Sequence, residues 1–248
     1  MFQRIARFSM LSAIALVAAS VSVSAQDFQK SYKIPAGGQV RVGNVSGDVS
    51  VSGYDGDVII VKGTKTGADS SLLEIEDRST DGRVDITVKY PKGHHNNEAS
   101  VDFDVQVPRS MAFNFEGIGS VSGDVAIKDV SGKIHASSVS GDVHISGVKG
   151  SVSASSVSGD VNVEISGLEG IDDMKFSAVS GDVNVTLPAT LDAEVDMSTL
   201  SGDIDTNFGI EVKKEQYTPG RTARAKLGDG SRRVKMSSVS GSVSLKHS

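Results

Sequence analysis

The chain of 248 residues contains no cysteine and no tryptophan, and aromatic residues of all kinds make up only 5% of it. Without cysteine there is no disulfide framework, no thiolate metal site, no cysteine nucleophile and no lipid-modified cysteine behind a leader. With so few rings there is no aromatic platform on which bases or sugars could stack. What is plentiful is small: 27 glycines and 38 serines account for about a quarter of the chain. Together with a hydrophobic content of 38%, that composition also suits disorder. The length allows one or two domains and a sizeable core, so the order of the residues decides.

The first residues read as an address. Arg4 and Arg7 precede the apolar run from Met10 to Ala19, and Val23-Ser24-Ala25 supplies the small residues of a cleavage site. This is the pattern of a secretory signal peptide over residues 1–25. A membrane anchor would need about 20 continuous apolar residues, and Ser9, Ser12, Ser20, Ser22 and Ser24 interrupt the stretch. No second apolar span follows, so the mature chain is expected to lack a transmembrane segment and to be exported to the periplasm or cell surface. Removing residues 1–25 leaves 23 basic against 31 acidic side chains, a formal charge of −8. That balance argues against nucleic acid and anionic membranes as partners.

One pentapeptide keeps returning. Val45-Ser46-Gly47-Asp48-Val49 recurs unchanged at 121–125, 139–143, 157–161 and 179–183, with close variants at 200–204 and 239–243. Weaker copies lie between, at Val130-Ser131-Gly132-Lys133-Ile134 and Val148-Lys149-Gly150-Ser151-Val152. The local period is nine, paired into eighteen, the mark of a solenoid whose units bury their faces only by stacking. Val143-His144-Ile145 and Val161-Asn162-Val163 alternate apolar and polar with β-branched residues, which predicts strands. Ser-Gly-Asp is turn chemistry, with glycine free to take positive φ.

Aligned coils predict vertical rows of core residues. One is Val121, Val139, Val157, Val179, Leu200 and Val239. The next is Val125, Val143, Val161, Val183, Ile204 and Val243, followed by Ile127, Ile145, Val163, Val185 and Leu245. The opposite side carries Ile134, Val152 and Met174, then Ala136, Ala154 and Phe176, continued by Met197 and Met236. The reading is therefore an all-β parallel solenoid over 26–248. Residues 64–118 form less regular strands and a candidate cap, 119–206 the regular coils, 207–233 an inserted loop, and 234–248 the final coil.

The stretch Val101-Asp102-Phe103-Asp104-Val105-Gln106-Val107-Pro108, the Ser-Gly-Asp copies after it, and the closing Val234 to Val243 resemble a bacterial family. It is the candidate-adhesin, LiaG-like family of exported or surface-associated β-solenoid domains of unknown function. The resemblance covers about 36–246 of the chain. It implies a right-handed β-solenoid and a non-enzymatic envelope or surface protein, and it brings no catalytic residues.

Asp124, Asp142, Asp160, Asp182 and Asp203 share one position and should stack along one edge. Unit charges about 5 Å apart repel by roughly 0.8 kcal/mol in water and about 3 kcal/mol at an effective dielectric of 20. Either a cation such as Ca²⁺ bridges them, or each carboxylate accepts a backbone N–H within its own turn. The Ca²⁺-binding nonapeptide needs glycines that are absent here, so the second reading is preferred. His94 and His95 sit in the polar loop 91–100. His135 and His144 should point outward from opposite faces. No serine lies in a nucleophile elbow, and no motif calls for a cofactor. Lys213, Lys214, Arg221, Arg224, Lys226, Arg232 and Arg233 make 211–233 basic in an acidic protein, a candidate docking surface for an acidic envelope protein or polymer. The leading expectation is a binding or scaffolding module. The alternatives are a polysaccharide-active β-helix enzyme, which would need unequal clustered carboxylates, and a self-associating structural or envelope-stress signalling protein.

Overall fold

The computed structural model describes residues 28–90, 98–214 and 220–248. The expected signal peptide and the two histidines of the 91–100 loop fall outside the described residues. The described chain is built from strands, with one 3-10 turn at Ser70–Leu72.

Alternation sets the strands. Val143 and Ile145 are fully buried while His144 between them is exposed. A strand of this pattern has one apolar face, which only a neighbouring coil can cover. Strands one period apart accordingly pair in parallel. Ile134 stands beside Val152, 18 residues on, and Val143 beside Val161. The row from Val125 to Val243, the row from Ile127 to Leu245, and the rows through Ile134, Ala136 and Phe176 are all buried. Each buried Val, Ile or Leu contributes about 1.5–3 kcal/mol. Four phenylalanines, Phe103, Phe113, Phe115 and Phe176, also enter this core.

The coils form two faces that share the core. One face holds the strands Gln39–Gly43, Ala112–Ser122, Ser131–Ser140, the second half of Val143–Ser155, Met174–Ser177, Arg232–Ser240 and Ala193–Ser201 in that spatial order. The other holds Val49–Tyr54, Val125–Lys128, the first half of Val143–Ser155, Val161–Gly167, Val183–Leu187, Val243–His247 and Ile204–Thr206.

Spatial order departs from chain order at both ends. The C-terminal coil lies inside the stack, between the coil of Val179 and the coil of Leu200. At the other end, Gln39–Gly43 and Val49–Tyr54 are covered by Arg83–Lys89 and Ser100–Pro108, which come later in sequence. The two outermost coils are then closed by antiparallel strands. Ile59–Thr66 and Phe28–Tyr32 close one face and Glu74–Asp77 the other at the N-terminal end. Arg221–Leu227 and Val212–Lys214 close the C-terminal end. The segment 207–233 is therefore not a plain loop: two cap strands and the start of Arg232–Ser240 lie within it.

The row through Val121 is not core. Val45, Val121, Val139, Val157, Val179, Val239 and Leu200 are each 42–50% exposed. They stand at the corner of each coil, where the chain turns and the side chain points off the edge. The buried residue of the corner is the one before. Ser120, Ser138, Ser156 and Ser238 are buried and donate their hydroxyls to the carbonyls of Gly47, Gly123, Gly141 and Gly181 in the preceding coil, at 2.8–2.9 Å. Thr199 does the same to Gly241 at 2.7 Å.

The pentapeptide glycines serve close approach more than positive φ. Among the strong copies only Gly47 has a positive φ, of 103°, joined by Gly132 and Gly150 of the weaker copies. A Cβ on Gly141 would stand 2.2 Å from the Gly123 carbonyl oxygen, and the same clash with the neighbouring glycine arises at Gly123, Gly159, Gly181, Gly202 and Gly241. Backbone touches backbone at this corner, and no side chain fits between.

Candidate functional site

The repeated aspartates come next along the same edge. Asp124 Oδ1 accepts the backbone N–H of Asp142, Asp142 that of Asp160, and Asp160 that of Asp182, each at 2.8 Å. The bond runs to the next coil, not to the residue's own turn, so each carboxylate ties two coils together. The row begins earlier than the five residues singled out from sequence: Asp102 receives Asp48, and Asp48 receives Asp124. It also contains a serine. Asp182 accepts the N–H of Ser242, whose hydroxyl accepts the N–H of Asp203 at 3.3 Å. Asp203 ends the row and pairs with Arg221 of the cap. Among the described residues no three acidic or histidine side chains converge as metal ligands would. His135 and His144 lie on opposite faces, beside Ser153 and Asn162 respectively.

The basic residues gather at the C-terminal end. On the strand Ala193–Ser201, Glu194 lies between Arg233 and Lys226, and Asp196 between Lys235 and Arg224. Alternation puts all six on the outer side. They line a shallow groove of about 560 Å³. Two carboxylates thus face four cations. Arg224 reaches Asp196 at 3.2 Å and Arg233 reaches Glu194 at 3.6 Å. Lys226 and Lys235 have no carboxylate within ion-pair distance among the described residues, and neither have Lys213 and Lys214 on the edge strand beyond. Lys175 extends the strip, beside Lys235.

Strand register brings Lys175 and Lys235 into the strip, though they are 40 or more positions from parts of it in sequence. Their signal was the shared offset from the pentapeptide, which aligns Lys175 and Lys235 as it aligns Phe176 and Met236. Arg232 leaves it. It alternates with Arg233 and points inward, 9% exposed, with Nη2 donating to the Gly170 carbonyl at 2.6 Å. Its Nε and Nη1 meet no acceptor among the described residues. It supports the corner that precedes Met174–Ser177 and offers nothing to a partner.

The chain is similar to the crystal structure of a candidate cell adhesion protein from Clostridium sporogenes, at 13% identity over 89% of this chain and 99% of that one, with a TM-score of 0.49. It is also similar to that of a candidate adhesin from Bacteroides fragilis, at 13% identity over 88% and 96% of the two chains, with a TM-score of 0.40. No curated protein matches. The sequence profile of the family described as Toastrack DUF4097 matches residues 17–246. With all but the ends of its length covered by that match, the chain belongs to the Toastrack DUF4097 family.

Proposed function

We propose that the protein is an exported, non-enzymatic, adhesin-like binding or scaffolding module of the bacterial cell envelope. In this reading it is a right-handed β-solenoid whose basic end docks an acidic envelope protein or polymer. The observation that carries the proposal is the placement of charge. An acidic protein collects Lys213, Lys214, Lys226 and Lys235, without carboxylate partners among the described residues, on the strands of one end. A partner bearing repeated carboxylates or phosphates can meet several of them at once, and such steering is long-ranged at low salt.

The polysaccharide-enzyme reading is less well supported. Acid–base cleavage wants two carboxylates whose environments push their pKa values apart. Glu194 and Asp196 are each flanked by two cations and each reaches an arginine. The repeated aspartates already hold backbone N–H groups.

A pull-down from envelope extracts tests the reading, comparing the mature chain with a Lys213→Glu, Lys214→Glu, Lys226→Glu, Lys235→Glu variant. Loss of a captured acidic component in the variant supports it, and equal recovery removes this strip as the docking site. Deleting 211–233 would be a poor control, because it strips the strand that covers Ala193–Ser201.

A further inference from the structure

The exposed corner row joins the coils through its backbone, but its side chains fill no core. Among the described residues ten large apolar side chains are exposed, and seven of them belong to this row. They follow one another without a gap from the coil of Val45 to the coil of Leu200, because the serines next to them pair in register throughout. A row of seven at the strand spacing is about 29 Å long. On one side of it runs a row of small residues, Ser137, Ser155, Ser177, Ser237 and Ser198. On the other runs the exposed row of Ser122, Ser140, Ser158, Ser180, Ser240 and Ser201 and, past the glycines, the aspartate row, with Oδ1 of most members engaged by the next coil.

We infer that this edge is the contact between two copies of the chain, set side by side and parallel, with the two-fold axis running along the valine row. Spacing selects the partner. The row repeats about every 4.8 Å, whereas a helix laid along it repeats every 5.4 Å or so and an extended strand every 6.6–6.8 Å on one face. Over six steps a helix falls out of step by more than 3 Å, about the width of a methyl group, and a strand by more. Another stack of coils keeps step, and a second copy presents an identical row of branched side chains. Each valine then meets its own copy at the same height, over the whole length.

Charge selects the direction. Set antiparallel, two copies would bring one aspartate row against the other. Set parallel about an axis along the row, each aspartate row faces the Ser137 row of its partner, whose hydroxyls can donate to the free carboxylate oxygens. The strip is narrower than the roughly 800 Å² per partner of a standard stable interface, so the association is reversible and depends on concentration. It also has a consequence for binding. Both basic ends of a parallel pair lie at the same end, so one assembly offers two strips to a polyanion, with the gain that linked sites bring. The inference stands whether or not those strips dock an envelope partner.

The absence of cysteine makes the test direct. When the two-fold axis runs along the row, every corner valine faces its own copy. Val139→Cys and Val179→Cys, made singly in the mature chain, should each close to a disulfide-linked dimer under mild oxidation. Closure should be about tenfold or more faster than for Ser50→Cys on the open face, since a paired site raises the effective concentration. The unmodified chain should sediment as a monomer–dimer equilibrium, and Val139→Asp with Val157→Asp should abolish the dimer without lowering the melting temperature. A chain that stays monomeric up to its solubility limit overturns the inference. So does cross-linking no faster than the Ser50→Cys control. Cross-linking at Val157→Cys in mid-row, but not at Val139→Cys or Val179→Cys, signals the antiparallel arrangement and overturns it too.

Discussion

The phenolic hydroxyl of Tyr32 donates to a carboxylate oxygen of Asp77 at 3.0 Å, and that bond joins the outermost strands of the two faces at the N-terminal end. The Lys30 ammonium binds the same oxygen, and the Ser79 N–H binds the other at 2.9 Å. Burial alone would raise the pKa of Asp77. Its hydrogen bonds from Lys30, Ser79 and Tyr32 outweigh that and hold it well below the usual carboxylate range. Burial, followed by the bond to Asp77, pushes Tyr32 well above the usual phenol range. The half-buried Glu76 beside them is lowered to about 2 by hydrogen bonds from Arg78 and then Lys89. The cap is thus latched by a carboxylate that must stay ionised.

A depressed folded-state pKa contributes stability that is complete above the unfolded value, about 3.9 for an aspartate, and that is lost as pH falls through the folded one. Asp77→Asn should therefore lower stability at pH 7 by about 1–3 kcal/mol, and the gap to the unmodified protein should narrow below about pH 4. Tyr32→Phe should cost about 1 kcal/mol and speed hydrogen exchange in Phe28–Tyr32. Thermal melts from pH 7 to pH 2 check the first. A gap that stays constant across that range would contradict the latch.

One corner lacks a side-chain donor, whereas at the corner of Val45 the Asn44 amide takes the part of the hydroxyl and donates to the Val101 carbonyl. Ser138, Ser156, Thr199 and Ser238 each donate to a glycine carbonyl, but the equivalent residue of the next coil is the buried Ala178. Ala178→Ser supplies the missing donor to the Gly159 carbonyl. The expected gain is about 0.5–1.5 kcal/mol in chemical denaturation. Unchanged or reduced stability would show that the serine row does not act through this bond.

Coil contact at the corner predicts an asymmetry between glycines. Gly141→Ala should cost about 2–4 kcal/mol, because its Cβ meets the Gly123 carbonyl and the coils must part. Gly82 has open space around its Cβ position, so Gly82→Ala should change stability by less than about 1 kcal/mol. Equal costs in urea melts would remove the close-approach explanation.

The aspartate row separates hydrogen bonding from charge. Asp142→Asn keeps an oxygen for the Asp160 N–H and removes a like charge, so it should be neutral or stabilising at low salt, while Asp142→Ala should cost about 1 kcal/mol. Calcium titration of the mature protein should give no heat and no thermal shift. A clear Ca²⁺ signal, abolished by Asp142→Asn, would instead favour the cation reading of this edge.

Residues whose burial depends only on alternation were legible from the sequence. Val143-His144-Ile145 announces two inward residues and one outward, and the period of eighteen places them in rows. Val139 shows where that logic ends. Its spacing equals that of Val143, but it stands at a corner, and which corner residue turns inward depends on the bend of the chain. There the buried residue is polar Ser138, chosen for a bond to the coil below. Arg232 and Arg233 read alike as charges until the strand is known to start between them and the cap. The aspartate row was visible as a row, but the coil to which each bond runs was not. Nor was the nesting of the C-terminal coil inside that of Leu200, since pairing among near-identical strands follows the whole stack rather than any one repeat.

The docking of polyanions at the basic end is tested most directly by titrating the mature protein with a defined probe, such as a polyglutamate, at low and moderate salt. The unmodified chain should bind, with an affinity that falls as salt rises. The Lys213→Glu, Lys214→Glu, Lys226→Glu, Lys235→Glu variant should bind at least about tenfold more weakly, since exposed charges contribute about 0.2–1 kcal/mol each and all four are reversed. Equal affinity in the two proteins, or binding indifferent to salt, would contradict the account.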